Sequence, residues 1–171
     1  ASGPSVALRA ELDALPITEA TGAPFAARSP GRMHACGHDV HLAALTAVAR
    51  AGVALDLPVG LTVLLQPREE AYPSGAADIV ASGELAEYDV RCAVAAHLHP
   101  QVPVGSVAVG ASAVNAAADE FEIVLTGQGG HAAYPHQAAD VAAPLATIAL
   151  GLPDHVRRRI SPMTPALVSI G

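Results

Sequence analysis

The sequence contains no lysine. All nine of its basic residues are arginine, set against sixteen Asp and Glu for a formal net charge of −7. Binding a phosphate backbone needs a concentrated positive surface, so this balance excludes nucleic acid as the main partner. The basic residues are scattered apart from Arg157-Arg158-Arg159. That run falls at the end of an expected helix, where cations complement the helix dipole. Cysteine is scarce as well. Two thiols, Cys36 and Cys92, make no disulfide framework, which points to a reducing compartment. No apolar stretch reaches the ~20 residues that span a bilayer. The opening residues Ala1-Ser2-Gly3-Pro4-Ser5 lack the charged-then-apolar layout of a secretion signal. The expectation is a soluble cytoplasmic protein with neither membrane nor nucleic acid as a partner. No internal repeat is visible.

A hydrophobic fraction of 51% in 171 residues is enough for one well-buried core. Residues 6–12 read as a strand, closing at Asp13 before Pro16, and a Pro/Gly/Ser loop follows over residues 21–32. Residues 39–50 read as a helix whose inward face is Val40, Ala43, Ala44, Ala47 and Val48, with Gly52 as its stop. Residues 61–65 and 92–96 are short apolar runs that suit buried strands, and Cys92 is read as core. Residues 75–81 make a short helix ended by Gly83. The order strand, helix, strand, helix, strand predicts an α/β fold with a parallel sheet.

After residue 100 the character changes. Residues 101–115 form a hairpin or linker, and residues 120–126 alternate polar and apolar as a half-exposed strand does. A loop follows, with Gly127, Gly129 and Gly130 as a turn. A helix over about residues 138–159 is expected to split at Pro144 and Pro153, and residues 166–170 read as a last strand. The expected domains are residues 1–115 and 116–171.

The chemistry concentrates at one place in this plan. Met33-His34-Ala35-Cys36-Gly37-His38-Asp39 sets a thiol, imidazoles and a carboxylate side by side, residue types that compete well for a divalent metal. Asp13, the pair Glu69-Glu70, and His97 each follow the C-terminal end of an expected strand. Cys36 and His38 precede a helix, which is the same edge of such a sheet and the edge where open α/β sheets bind ligands. Of two adjacent carboxylates, one can hold a metal while the other takes a proton. Asp13 either caps a loop or orients a ligand from behind. Of His34 and His41, one supports the loop and the other packs on the helix. His131 and His136 lie in the later turn.

Four segments occur together and in order: residues 9–16 (Arg-Ala-Glu-Leu-Asp-Ala-Leu-Pro), residues 34–41, residues 66–70 (Gln-Pro-Arg-Glu-Glu), and residues 129–136 (Gly-Gly-His-Ala-Ala-x-Pro-His). With these the chain resembles the metal-dependent amidohydrolases that include hippurate hydrolase, N-acyl-amino-acid deacylases and the auxin-conjugate hydrolases. The resemblance covers essentially the whole chain. It implies a zinc-exopeptidase-like catalytic sheet flanked by helices, with part of an inserted α+β lid and dimerisation domain. It also implies two divalent ions, zinc or manganese, held by Cys36, His38, Glu70 and His97. Glu69 would be the general base, His131 a lid residue reaching the substrate oxyanion, and the assembly a homodimer through the lid.

The implied reaction is hydrolysis of an N-acyl amino acid to a carboxylic acid and an amino acid. A dipeptidase or carboxypeptidase on the same scaffold, and a non-catalytic metal-binding dimerisation module, are the alternatives. Arg68 stands where the family usually has a small residue, and His97-Leu98-His99-Pro100 where it has an aromatic-containing run. Relatives extend further on both sides, so an internal portion of a longer enzyme is expected, with a fifth ligand beyond Gly171.

Overall fold

The computed structural model describes residues 3–111 and 114–171, so part of the expected hairpin or linker lies outside the described residues. The chain divides into two compact units, Ala1–Ser106 and Val107–Gly171.

The first unit is built on three parallel strands: β1 (Ser5–Glu11), β2 (Gly60–Gln66) and β3 (Val90–Ala95), in the order β2-β1-β3. Parallel neighbours need long crossovers, and helices supply them. Helix α1 (His38–Val53) joins β1 to β2, while α2 (Gly75–Ser82) and α3 (Glu84–Glu87) join β2 to β3. The small side chains of Ala7 and Ala10 on the central strand are fully buried. Its register runs from Ser5 opposite Gly60 to Glu11 opposite Gln66, and on the other side to Arg9 opposite Ala95. All three strands therefore end at one edge, and the segments that leave them there carry Asp13, Glu69-Glu70 and His97. The expected α/β architecture with a parallel sheet is what the chain adopts. Among the described residues, no helix is long and apolar enough to cross a membrane.

Local chemistry explains the helix ends. Gly37 starts α1 in the left-handed region (φ 86°), which costs glycine little. The Ser74 hydroxyl accepts the Ala76 N–H to cap α2, a contact worth about 1 kcal/mol, and Gly83 ends that helix at φ 78°. Gly75 is required for space instead: a Cβ there would stand 1.9 Å from the Pro67 carbonyl oxygen. The start of α2 thus sits directly against the turn that carries the two glutamates.

Three expectations for this unit need correction. The inward face of α1 is His38, His41 and Leu45, while Val40 and Val48 are about half exposed. The apolar stripe lost because the sheet edge offers partners for buried imidazoles. Gly52 does not stop α1, which runs one residue further to Val53. Cys92 is exposed, since β3 is an edge strand with little packed against it.

In the second unit a 3₁₀ turn (Pro135–Gln137) precedes helix α4 (Ala142–Arg159). Asp140 Oδ1 accepts the N–H groups of Ala142 and Ala143 and satisfies two donors of its first turn. The helix does not split. Pro144 lies in that first turn, where an N–H has no intrahelical acceptor, and the helix continues through Pro153. The triple arginine occupies its last turn as expected. The strands expected at residues 120–126 and 166–170 are absent among the described residues. A period-2 pattern supplies a face, but a strand also needs a hydrogen-bonded neighbour, and none pairs with either segment here.

Candidate metal centre

His38 is the hub of the site. It is 1% exposed, and its Nδ1–H donates to the Asp13 carbonyl at 3.0 Å. That bond fixes the tautomer and leaves the Nε2 lone pair aimed at Glu69 Oε2 (3.6 Å) and Glu70 Oε1 (3.7 Å). The glutamate turn is itself held by Asp13, whose Oδ2 accepts the Glu70 N–H at 2.9 Å. Burial pushes the Asp13 carboxyl up, but the backbone donors of Glu70 and Glu69 outweigh it and hold the group below its ordinary 3.8. On the other side, Cys36 Sγ lies 3.4 Å from His97 Nε2, while His97 Nδ1–H donates to the Leu98 carbonyl at 2.6 Å. Burial, then a hydrogen bond to Glu70 and the charges of Glu70, Glu69 and Glu11, push the Cys36 thiol up to about 11.

One feature of this arrangement is costly unless a cation belongs in it. His38 Nε2, Glu70 Oε1 and Asp13 Oδ1 are buried and lack a hydrogen-bond partner, as does His34 Nδ1. A buried acceptor without a donor costs on the order of 1–3 kcal/mol, and here lone pairs face one another. Donor atoms of Cys36, His38 and His97 lie within 4.8 Å of one another, as do those of His38, Glu69 and Glu70. A thiolate, imidazoles and carboxylates at such spacing are a zinc-type donor set. The residues present fit a divalent metal.

A third grouping, Glu11 with His38 and His41, is equally compact. It is not a ligand set, because both nitrogens of His41 are engaged. Nδ1 bonds Glu11 Oε2 at 2.8 Å, and Nε2 accepts the Leu98 N–H at 3.0 Å. Sequence reading missed this pair. A glutamate inside an apolar strand, with a histidine three residues after His38 on the same helix face, was the available signal.

The structure thus brings Asp13, Cys36, His38, Glu69, Glu70 and His97 together at the sheet edge. His131 lies in the second unit, where its Nδ1 accepts the Ala133 N–H at 3.1 Å. That bond leaves the ring proton of the neutral imidazole on Nε2.

Burial raises the Glu11 carboxyl, but the His41 hydrogen bond, its own backbone N–H and the Arg9 charge together hold it below its ordinary 4.5. Carboxyls lowered on folding add stability above their ordinary values and lose it as pH falls through the folded ones. Metal-free protein is therefore expected to lose urea resistance as pH drops below roughly 4, and Glu11→Gln to flatten that decline. Urea midpoints between pH 3 and 6 measure it; identical slopes in both proteins would reject the account.

A family model for peptidase family M20/M25/M40 matches residues 7–167. The chain is 38% identical to an N-acetyldiaminopimelate deacetylase of Listeria monocytogenes, over 98% of its own length and 45% of that protein's. It is 40% identical to the Halalkalibacterium halodurans protein of the same name, with the same coverage. Among solved structures it matches a Staphylococcus aureus protein provisionally described as an aminohydrolase (TM-score 0.71, 32% identity, 99% of this chain and 45% of that one). It also matches a dinuclear metal-binding M20 peptidase of Bacillus subtilis (TM-score 0.52, 39% identity, 60% and 29%). This chain thus spans a little under half the length of the curated relatives it matches. A parallel sheet that gathers Cys36, His38, the glutamate pair and His97 at one edge, together with a family match over nearly all of its length, makes this chain a member of peptidase family M20/M25/M40.

Proposed function

We propose that the protein carrying this chain hydrolyses the amide bond of an N-acyl amino acid, releasing a carboxylic acid and a free amino acid. The cluster of buried, partnerless acceptors at the sheet edge is the observation that carries this reading. Cys36, His38, Glu70 and His97 would hold two divalent ions, zinc or manganese. Bound there, such ions lower the pKa of water and polarise a carbonyl. Ligation by Cys36 needs a reduced thiol, which suits a cytoplasmic location.

The remaining chemistry belongs to the side chains. Glu69 is the more exposed of the pair, its side chain 34% accessible against 21% for Glu70, and so stands where water and substrate arrive. It accepts the proton of the attacking water and passes it to the leaving nitrogen. Asp13 keeps both glutamates aimed by holding their backbone. His131, with its proton on Nε2, donates to the carbonyl oxygen as that atom gains charge. In this reading residues 1–115 are the catalytic part, and residues 116–171 belong to a lid through which two subunits pair.

The full-length protein, loaded with Zn²⁺ or Mn²⁺, tests the proposal against a panel of N-acetyl and N-benzoyl amino acids and dipeptides. N-acetyl-diamino acids come first, given the names of the relatives. Release of free amino acid, abolished by a chelator, is the expected result. Cleavage of dipeptides alone would replace the reading with a peptidase, and inertness towards the whole panel would leave a metal-binding module.

A further inference from the structure

The strand ladder stops short of the site. Pairing of β3 with β1 ends at Ala95, so no sheet hydrogen bond holds the peptide between His97 and Leu98. Its N–H is taken by His41 Nε2 at 3.0 Å, and the Leu98 carbonyl is taken by His97 Nδ1–H at 2.6 Å. The Leu98 backbone is thus gripped at one end by the imidazole of a helix and at the other by the neighbouring residue that faces Cys36.

His41 is well placed for such a grip. Its side chain is 5% exposed and its ring centroid lies 4.8 Å from that of His97. Nε2 can accept only if the ring proton sits on Nδ1, and Glu11 Oε2 at 2.8 Å receives that proton. Glu11 is fixed in turn: its Oε1 pairs with the Arg9 guanidinium, and Arg9 Nε donates to Gln66 Oε1 at 2.9 Å. A buried charged chain of this length is expensive to desolvate and is a poor way to gain stability alone.

We propose that His41 is a positioning residue: by accepting the Leu98 N–H it sets the orientation of the His97 imidazole, with Arg9 and Glu11 holding it in the tautomer this needs. The inference rests on the metal-centre reading, in which His97 is a ligand. It assigns a task to residues that touch neither substrate nor metal, comparable to outer partners that orient ligating side chains.

Two substitutions separate the halves of the ring. In His41→Gln the side-chain carbonyl can occupy the Nε2 position and accept the Leu98 N–H, while the bond to Glu11 is lost. In His41→Asn the amide can occupy the Nδ1 position and keep Glu11, while the acceptor for Leu98 is lost. Zn²⁺ affinity is read by competition with a chromophoric chelator, and ligand geometry by the visible bands of the Co²⁺ form, both on the full-length protein. His41→Asn should lose roughly 10–100-fold in Zn²⁺ affinity and shift the Co²⁺ bands, whereas His41→Gln should stay within about threefold of the parent.

A purely structural role would make the two variants alike, and equal losses would overturn the proposal. Should either variant fail to fold, replacing the residue 98 amide by an ester removes the N–H and leaves every side chain in place. That ester, in otherwise parent protein, should weaken Zn²⁺ binding by a similar factor; unchanged affinity would overturn the proposal. Parent protein that took up no Zn²⁺ would overturn both the positioning role of His41 and the metal reading. Normal uptake with no difference among the variants would remove the positioning role alone.

Discussion

Glu69→Gln in the full-length protein should lose at least ~100-fold in turnover, the usual scale for removing a general base, while metal content stays near that of the parent. Glu70→Gln should do the opposite first: it should lose metal, and activity only as a result. The expectation follows from one turn. Both residues hang from backbone held by Asp13, and both face His38 Nε2 at nearly equal distance. They differ in surroundings. Glu70 Oε1 is buried without a partner, and Glu70 hydrogen-bonds the Cys36 thiol, so it already sits among the metal-type donors. Elemental analysis beside turnover numbers separates the two effects. A swapped pattern would exchange the roles, and two variants with parent activity would reject the hydrolase reading.

Cys36→Ser should cost more metal affinity than the roughly 10–100-fold typical of losing an outer partner, because it removes a thiolate donor itself. It should also change the proton balance of binding. Burial and then the neighbouring carboxylates push the Cys36 thiol up to about 11, so at pH 7 to 9 it is protonated and must give up its proton to ligate. The sign is definite: below that value, each unit of rising pH favours uptake about tenfold through this group. Zinc titrations in buffers of different ionisation enthalpy should show about one more proton released by the parent than by Cys36→Ser. Equal proton release from the two proteins would remove Cys36 from the ligand set.

The residues that make this site were readable where the chain reports on itself locally. A strand pattern closing at Asp13, an apolar run between Gly60 and Pro67 and another over residues 92–96 marked the three strands, and the polar groups that follow them marked the edge. The failures were of another kind. On α1 the stripe Val40–Ala44–Val48 is a sound amphipathic pattern, but the interior accepted His38 and His41 because Asp13, Glu11 and Leu98 supply their hydrogen bonds. No periodicity encodes that. The Glu11–His41 pair links positions 30 apart, and neither residue looks unusual without the other. The expected strands of the second unit failed for a related reason, since alternation over residues 120–126 describes a face and not its neighbour.

The strand order has a consequence for how the metal-type donors come together. Of the three strands the central one comes first in sequence, its β2 neighbour follows a helix later, and β3 pairs on the other side with contacts such as Val6 to Cys92. Cys36, Glu70 and His97 thus lie far apart in sequence, and His97 joins Cys36 only when β3 docks. Donors on both sides of the Cys36–His97 pair are therefore assembled only once β3 has docked, and a metal held there would tie the β3 edge to the loop before α1.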